Sequence, residues 1–310
     1  MTITQLEYVI AVDTYRSFGE AAKHCFVTQP TLSMQIKKLE EELDVLIFDR
    51  SKKPVLTTDI GKKIVEQARI TVLEAKRIEE VINDQKDAIT GQLRVGIIPT
   101  LSPYLLPLFI TKFVQKYPDV NIVIEELLTD QIIEKLNNDL IDVGVLVSPL
   151  NENSIVEIPI FYEPFVAYMS DGHPLQRKEL ITFQDLKRNE MWLLKEGHCF
   201  RSQVERICTD EESESRQLKF ESGSLETLIR IVETQYGYTL LPELATWDLS
   251  SERSAYTKRF QEPQPVREVS LAIHRSFLKR RLIELFKQEI LTNLPQNFKQ
   301  KDNNTLVQWR

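Results

Sequence analysis

Over the first ninety residues apolar side chains recur at helical spacing; beyond them the pattern shifts to short apolar runs alternating with helical segments. Leu6, Val9, Ile10 and Val12 mark one helix face. A second helix opens at Ser17-Phe18-Gly19-Glu20, where Ser17 and Glu20 have capping-box spacing. The following Ala21-Ala22 permit close helix packing. Thr28-Gln29-Pro30-Thr31 predicts a third start, with Thr28 as N-cap and a proline in the first turn. Leu32, Ile36, Leu39 and Leu43 carry that helix forward, while Thr31, Ser33, Gln35, Lys37 and Lys38 occupy its other face. Ile47 to Thr57 suits a two-stranded wing with basic residues near its tip. From Asp59 to about Asp87, a single stripe of Ile64, Ala68, Val72, Ala75, Ile78 and Ile82 runs along an otherwise polar helix, the pattern of a dimer seam.

Near Thr90-Gly91 the period changes. Leu93–Ile98 predicts a buried strand, followed by a helix to about Lys116, the strand Val120–Leu127, the helix Asp130–Leu140 and the strand Asp142–Val147. A second block holds strands at Glu163–Met169, Trp192–Leu194 and Thr239–Leu241, with a helix from Ser224 to about Tyr236. The strand Val269–His274 and the helix Leu278–Thr292 close the chain, and the polar residues after Pro295 are expected to fray. Such alternation predicts βαβ units and a mainly parallel sheet.

Helix, tight turn, then a helix exposing small polar residues is a helix-turn-helix, which points to double-stranded DNA. A net charge of −7 argues against binding through bulk charge but leaves room for a local basic face. Gln29, Thr31, Ser33 and Gln35 are candidates for base edges, and Lys37, Lys38, Arg50, Lys52 and Lys53 for phosphates. No apolar run reaches the roughly 18–20 residues of a membrane span, and no secretory signal opens the chain, so a cytoplasmic protein is expected. His24, His173 and His274 lack ligand-like spacing, and neither a metal nor another cofactor is proposed.

Three cysteines make no disulfide framework in such a chain, so any disulfide would be regulatory. Cys25 lies in the second helix on an apolar stretch and reads as structural. Cys199 and Cys208 differ in their surroundings. Cys199 follows His198, precedes Arg201 by two positions and stands where a helix can begin, all of which favour a thiolate. Cys208 is flanked by Glu205 and Asp210-Glu211-Glu212, which favour the thiol. If 199–208 starts as helix, nine steps separate the two Cα atoms by roughly 13 Å, whereas a disulfide tolerates at most about 7 Å. Bridging them therefore requires the segment to unwind or move, with polar Thr209–Glu214 as the compliant stretch.

The N-terminal set Ser17-Phe18-Gly19-Glu20-Ala21-Ala22, Val27-Thr28-Gln29-Pro30-Thr31-Leu32-Ser33, Ile36-Lys37-Lys38-Leu39-Glu40, Leu46-Ile47-Phe48-Asp49-Arg50 and Leu56-Thr57 resembles the LysR-type transcriptional regulators. Within that family Gly96-Ile97-Ile98-Pro99-Thr100, Pro103–Pro107, Gly197-His198-Cys199 with Cys208, Ser224–Leu228 and Thr239–Pro242 resemble its hydrogen-peroxide-sensing members. The resemblance covers about residues 1–295 and assigns no role to Gln300–Arg310. It implies a winged helix-turn-helix domain at 1–58, a linker and dimerisation helix at 59–88, and a redox-sensing α/β domain at 89–310. That last domain would be two-lobed and periplasmic-binding-protein-like, with lobe I at about 91–161 and 267–295 and lobe II at about 162–266.

By the same resemblance Cys199 is the peroxidatic and Cys208 the resolving cysteine, with Thr100, Thr129, His198 and Arg267 shaping the peroxide pocket. Ile207 and Thr209 depart from the more aromatic residues that tend to flank the resolving cysteine. The expected protein is a non-enzymatic activator of oxidative-stress genes. Its expected partners are promoter DNA, hydrogen peroxide, RNA polymerase, cellular thiol reductants and its own copies in a homotetramer. One competing reading is a LysR-type regulator that senses a small molecule in the sensor cleft, its cysteines incidental. Another, a thiol peroxidase, leaves the first sixty residues unexplained.

Overall fold

A computed structural model describes residues 1–83, 89–208, 222–275, 280–295, 298 and 304–310. The chain divides into two compact units, Met1–Ala88 and Ile89–Arg310.

In the first unit α1 (Ile3–Tyr15), α2 (Phe18–His24) and α3 (Gln29–Leu43) precede a wing of β1 (Phe48–Asp49) and β2 (Leu56–Thr57), and then α4 (Asp59–Asn83). The predicted apolar positions make its core: Leu6, Val9, Val12, Leu32, Ile36 and Leu39 are buried with Ala21, Ala22, Ile47 and Phe48. Thr28 caps α3 as its sequence predicts. At α2 only half of the expected capping box forms, because Ser17 accepts from Glu20 N while the Glu20 carboxylate turns to Lys23 Nζ. A complete box stands instead at Thr2 and Gln5, heading α1. Cys25 is the half-buried C-cap of α2 rather than an interior residue. The α4 stripe is divided: Ala68 and Val72 are buried in this same core with Ile64 packed against it, whereas Ile78 is 68% exposed; Val65, off the predicted stripe, is buried too.

The second unit opens with β3 (Gly91–Ile97), α5 (Ser102–Lys116), β4 (Val120–Glu126), α6 (Thr129–Asn137) and β5 (Val143–Ser148). Here the parallel expectation holds, since β3 pairs in parallel with both β4 and β5. Elsewhere it fails. β6 (Ile155–Met169) is one fifteen-residue strand where sequence suggests a break near residue 162. Later come α7 (Cys199–Ile207), α8 (Leu225–Thr234), β7 (Tyr238–Pro242), the short α9 (Ser251–Ser254), β8 (Thr257–Arg259), β9 (Pro265–His274), α10 (Arg280–Asn293) and β10 (Thr305–Leu306). β9 runs antiparallel to both β5 and β6, and β6 antiparallel to β7 and β8. The sheet order is β4-β3-β5-β9-β6-β7. Trp192–Leu194 forms no strand; Met191 and Leu194 make only isolated bridges.

Two apolar cores result. The first gathers β3, α5, α6, β5 and α10, with Phe286 edge-on to Phe109 and Phe113. The second gathers Phe165–Met169, α7, α8 and β7. β6 contributes to both cores, and Tyr104 on α5 packs against both. The expected fraying after Pro295 is overturned at the far end: β10 pairs in parallel with β9, and Val307 is buried in the second core. An apolar Leu306-Val307 pair in a polar tail was the available signal. No helix among the described residues is long and apolar enough to cross a membrane.

Candidate redox site and nucleic-acid interface

In the first unit Gln29, Thr31, Lys37, Lys38, Lys52 and Lys53 are exposed. Three other candidates are engaged within the domain. Arg50 donates to Glu40 Oε2 at 2.8 Å and to Ser33 Oγ at 3.0 Å, and stacks over Phe18. The buried Glu40 in turn accepts from Ile47 N and Phe48 N, so this ion pair ties the wing to α3. Gln35 Oε1 accepts from Gln5 Nε2 at 3.3 Å. Sequence gave no sign of Phe26, which is 96% exposed with φ of 55° in the turn between α2 and α3.

In the second unit Cys199 is the first residue of α7, entered through Gly197 at φ +93°. His198 is the N-cap residue but makes no side-chain cap. The N–H groups of Cys199 and Phe200 are thereby left to favour the thiolate of Cys199. Thr129, first residue of α6, places its hydroxyl beside the same sulfur. That hydroxyl is buried and has no nitrogen or oxygen partner. Thr100 lies in the turn from β3 to α5 and is buried too.

Arg267 joins these pieces. It is fully buried on β9, in register with Glu163 on β6. Its Nε and Nη2 donate to Glu163 Oε2 at 2.9 and 2.7 Å, its Nη1 to Thr100 Oγ1 at 3.0 Å, and its Nη2 to the Thr100 carbonyl at 3.1 Å. The guanidinium also lies over the Phe200 ring, 5.3 Å from its centroid. Glu163 Oε1 is held by Leu244 N. Glu163 was missed, although one carboxylate inside the apolar run Phe161–Met169 is a recognisable signal of a buried charge awaiting a partner.

The electrostatics differ from the sequence expectation. Burial pushes the Cys199 thiol above its ordinary pKa and outweighs Arg267, Thr129 and the helix N–H groups, all of which pull it down. Neither cation adjacent in sequence drives the effect. Arg201 donates instead to the Leu194 carbonyl and to Glu205. Burial lowers the His198 pKa, helped by Lys195, so its ring favours the neutral form. The cation that acts on the sulfur comes from β9, far away in sequence.

Cys208 is the C-cap of α7, its thiol facing the Leu186 carbonyl at 3.9 Å. The helix runs from Cys199 to Ile207 with Cys208 as its C-cap, which at about 1.5 Å per residue puts the two Cα atoms roughly 13 Å apart, and no disulfide joins the two. Both sulfurs are buried, in different places: Cys199 belongs to the first core, while Phe200, Val204, Ile207 and Cys208 belong to the second. The acidic run Asp210-Glu211-Glu212 and the compliant stretch Thr209–Glu214 lie outside the described residues. Tyr104 on α5 donates to Glu226 on α8 at 2.9 Å, linking elements of the two cores. Among the described residues no group of three or more histidine, cysteine or acidic side chains has metal-binding geometry.

A winged helix-turn-helix unit followed by a two-core α/β unit is the build of a DNA-binding transcriptional regulator, and the comparisons with known proteins agree. Residues 3–62 match the bacterial regulatory helix-turn-helix protein model of the lysR family, and residues 86–295 match the LysR substrate binding domain. The chain belongs to the LysR family, whose members are DNA-binding regulators and not enzymes. Among its relatives are the hydrogen peroxide-inducible genes activator of Haemophilus influenzae, 34% identical over 87% of this chain and 90% of that one, and the DNA-binding transcriptional dual regulator OxyR of Escherichia coli, 35% identical over 87% and 88%. A full-length cysteine-to-aspartate variant of OxyR from Pseudomonas aeruginosa superposes with a TM-score of 0.79 at 36% identity, covering 94% of this chain and 98% of that structure. A hydrogen-peroxide-bound cysteine mutant of OxyR from Corynebacterium glutamicum superposes at 0.62 with 27% identity, covering 94% and 92%.

Proposed function

We propose that this chain is a hydrogen-peroxide-sensing transcriptional regulator of oxidative-stress genes, switched by a reversible Cys199–Cys208 disulfide. The observation that carries this reading is the setting of Cys199: a buried sulfur at a helix N-terminus, faced by the Thr129 hydroxyl and the Arg267 charge. Sulfur attacks one peroxide oxygen, the O–O bond breaks, and the second oxygen takes up the thiol proton and leaves as water. Cys199 becomes a sulfenic acid. Four of the five guanidinium N–H groups of Arg267 are already committed to Glu163 and Thr100, so the cation is held rigid beside the reacting atoms. The Thr129 hydroxyl, and the His198 Nε2 that is buried without a partner, are suited to bond the peroxide oxygens as charge develops on them.

The Cys208 thiol then attacks the Cys199 sulfur, forming S–S and releasing a second water. Because the two Cα atoms start roughly 13 Å apart, bond formation pulls α7 apart, and the sensor passes to a second packing. Cellular thiol reductants reverse the bond. The output is read on promoter DNA in the cytoplasm by a homotetramer. Gln29, Thr31, Ser33 and Gln35 face bases and Lys37, Lys38, Arg50, Lys52 and Lys53 face phosphates, and the oxidised form engages RNA polymerase as an activator.

The test is mass spectrometry of the Cys199 and Cys208 peptides after stoichiometric peroxide, alongside operator footprinting. A 199–208 crosslink and a shifted footprint are expected, both lost in Cys199→Ser. An unchanged footprint without a crosslink refutes the switch, and a response that survives in Cys199→Ser points to a small-molecule effector.

A further inference from the structure

The last seven residues, to which the family resemblance assigns no role, lie directly on the switch helix. β10 adds to the outer end of β9, with Thr305 opposite Pro265 and Leu306 opposite Val266. Thr305 N donates to the Gln264 carbonyl and Val307 N to the Val266 carbonyl, each at 2.8 Å. From this base the tail reaches α7 twice. The fully buried Gln203 donates its Nε2 to the Val307 carbonyl at 2.6 Å, and Arg206 Nη1 donates to the Arg310 carbonyl at 3.0 Å. The Val307 side chain is buried in the same core as Val204, Ile207 and Cys208. Beyond the helix, Arg310 pairs with Asp130, the neighbour of Thr129 at the start of α6, and with Glu152, while Trp309 packs on the first core.

We propose that residues 304–310 act as a clasp on α7 that sets how readily Cys208 can reach Cys199. The proposal rests on the disulfide reading above and adds to it a structural control of the second chemical step. Both hydrogen bonds between α7 and the tail come from its C-terminal half, at Gln203 and Arg206, the part that must leave the second core before Cys208 can travel. The N-terminal turn, where Cys199 meets peroxide, has no hydrogen bond from the tail among the described residues. The clasp therefore acts mainly on Cys199–SOH + Cys208–SH → S–S + H2O, and reaches the preceding attack only indirectly, through Asp130 beside Thr129 and through the end of β9 before Arg267. The same seven residues also hold the end of β9, two positions before Arg267, so the helix and the strand that meet at the sulfur are tied by one short piece of chain.

The experiment compares the full-length protein with a variant ending at Asn304 and with Val307→Pro, which keeps the length but removes the Val307 N–H. After mixing with peroxide, sulfenic acid is trapped with dimedone and disulfide is followed by alkylation quench and mass spectrometry. The expected result is a sulfenic-acid rate unchanged within about twofold and a disulfide-forming rate raised about fivefold or more, the factor implied by one net hydrogen bond of roughly 1 kcal/mol. Equal disulfide rates in wild type and both variants overturn the clasp while leaving the disulfide switch standing. Absence of any 199–208 disulfide in the wild-type protein overturns both. Val307→Pro, checked for folding by circular dichroism, gives the same reading if the shortened chain does not fold.

Discussion

Glu163 lies directly across the β6–β9 ladder from Arg267, and one of its carboxylate oxygens receives two of the arginine's N–H groups at 2.9 and 2.7 Å. Both side chains are fully buried, so neither charge has water to fall back on. Removing one partner strands the other. Glu163→Ala is expected to destabilise the sensor unit by about 3–5 kcal/mol, read as a lower urea midpoint at unchanged slope. A loss below 1 kcal/mol would show that the pair is not what holds Arg267 in place.

Thr129→Val keeps the shape of the side chain and deletes a hydroxyl that has no nitrogen or oxygen partner. Stability should therefore change little. The rate of Cys199 oxidation by peroxide should fall roughly tenfold to a hundredfold, the worth of a hydrogen bond to a charged group. Stopped-flow measurement in a Cys208→Ser background isolates that step, and an unaltered rate would remove Thr129 from the chemistry.

Because burial holds the Cys199 thiol above its ordinary pKa of 9.0, the thiolate fraction is small at neutral pH. Between pH 6 and 8 it grows about tenfold per unit. Iodoacetamide labelling of Cys199, with Cys208 replaced by serine, should speed up in proportion and show no plateau. Saturation by pH 7 would mean that Arg267 and the helix N-terminus outweigh burial after all.

His173 and His198 are both buried with pKa values lowered, desolvation being the main cause at each. The unfolded chain takes up their protons first as pH falls through about 6.5, so the stability these neutral rings contribute is present above that pH and lost below it. Urea midpoints should drop between pH 7.5 and 5.5, and His198→Gln should flatten part of the slope. An equal slope in the variant would assign the effect elsewhere.

Lys52 and Lys53 extend from the wing into solvent, whereas Arg50 is bound to Glu40. Lys52→Ala and Lys53→Ala should each weaken DNA binding to all sequences alike and reduce the salt slope by about one. Arg50→Ala should in addition lower the stability of the first unit, because buried Glu40 loses its cation. Fluorescence anisotropy across a salt series separates the two behaviours; a sequence-selective loss at Lys52 would argue for base contact.

Much of this molecule could be read from local pattern. The helix-turn-helix was visible because its core residues recur at fixed spacing and its caps are side chains of known preference, as at Thr28. The start of α7 at Cys199 was legible from Gly197 just before it, although His198 supplies no side-chain cap. What escaped depended on distant partners. Nothing beside Cys199 announces that its cation is Arg267, since strand pairing through β6 and β9 brings the guanidinium there. Arg201, adjacent in sequence, is drawn away by Glu205 and the Leu194 carbonyl. The parallel sheet was over-predicted because apolar runs reveal burial and not direction. The tail reads as loose chain because most of its anchor is a backbone edge on β9, and its one compositional mark is the short Leu306-Val307 pair.

The division of one helix between two cores has a consequence for how such a sensor can vary. On the proposed switch, the threshold for firing would rest partly on the fit of Val204, Ile207 and Val307, which share one core, and only partly on the chemistry of sulfur. A trimmed methyl group there would leave every reacting atom untouched and still shift the dose of oxidant that trips the response. Related proteins could thus be tuned to harsher or milder habitats by altering side-chain volume alone.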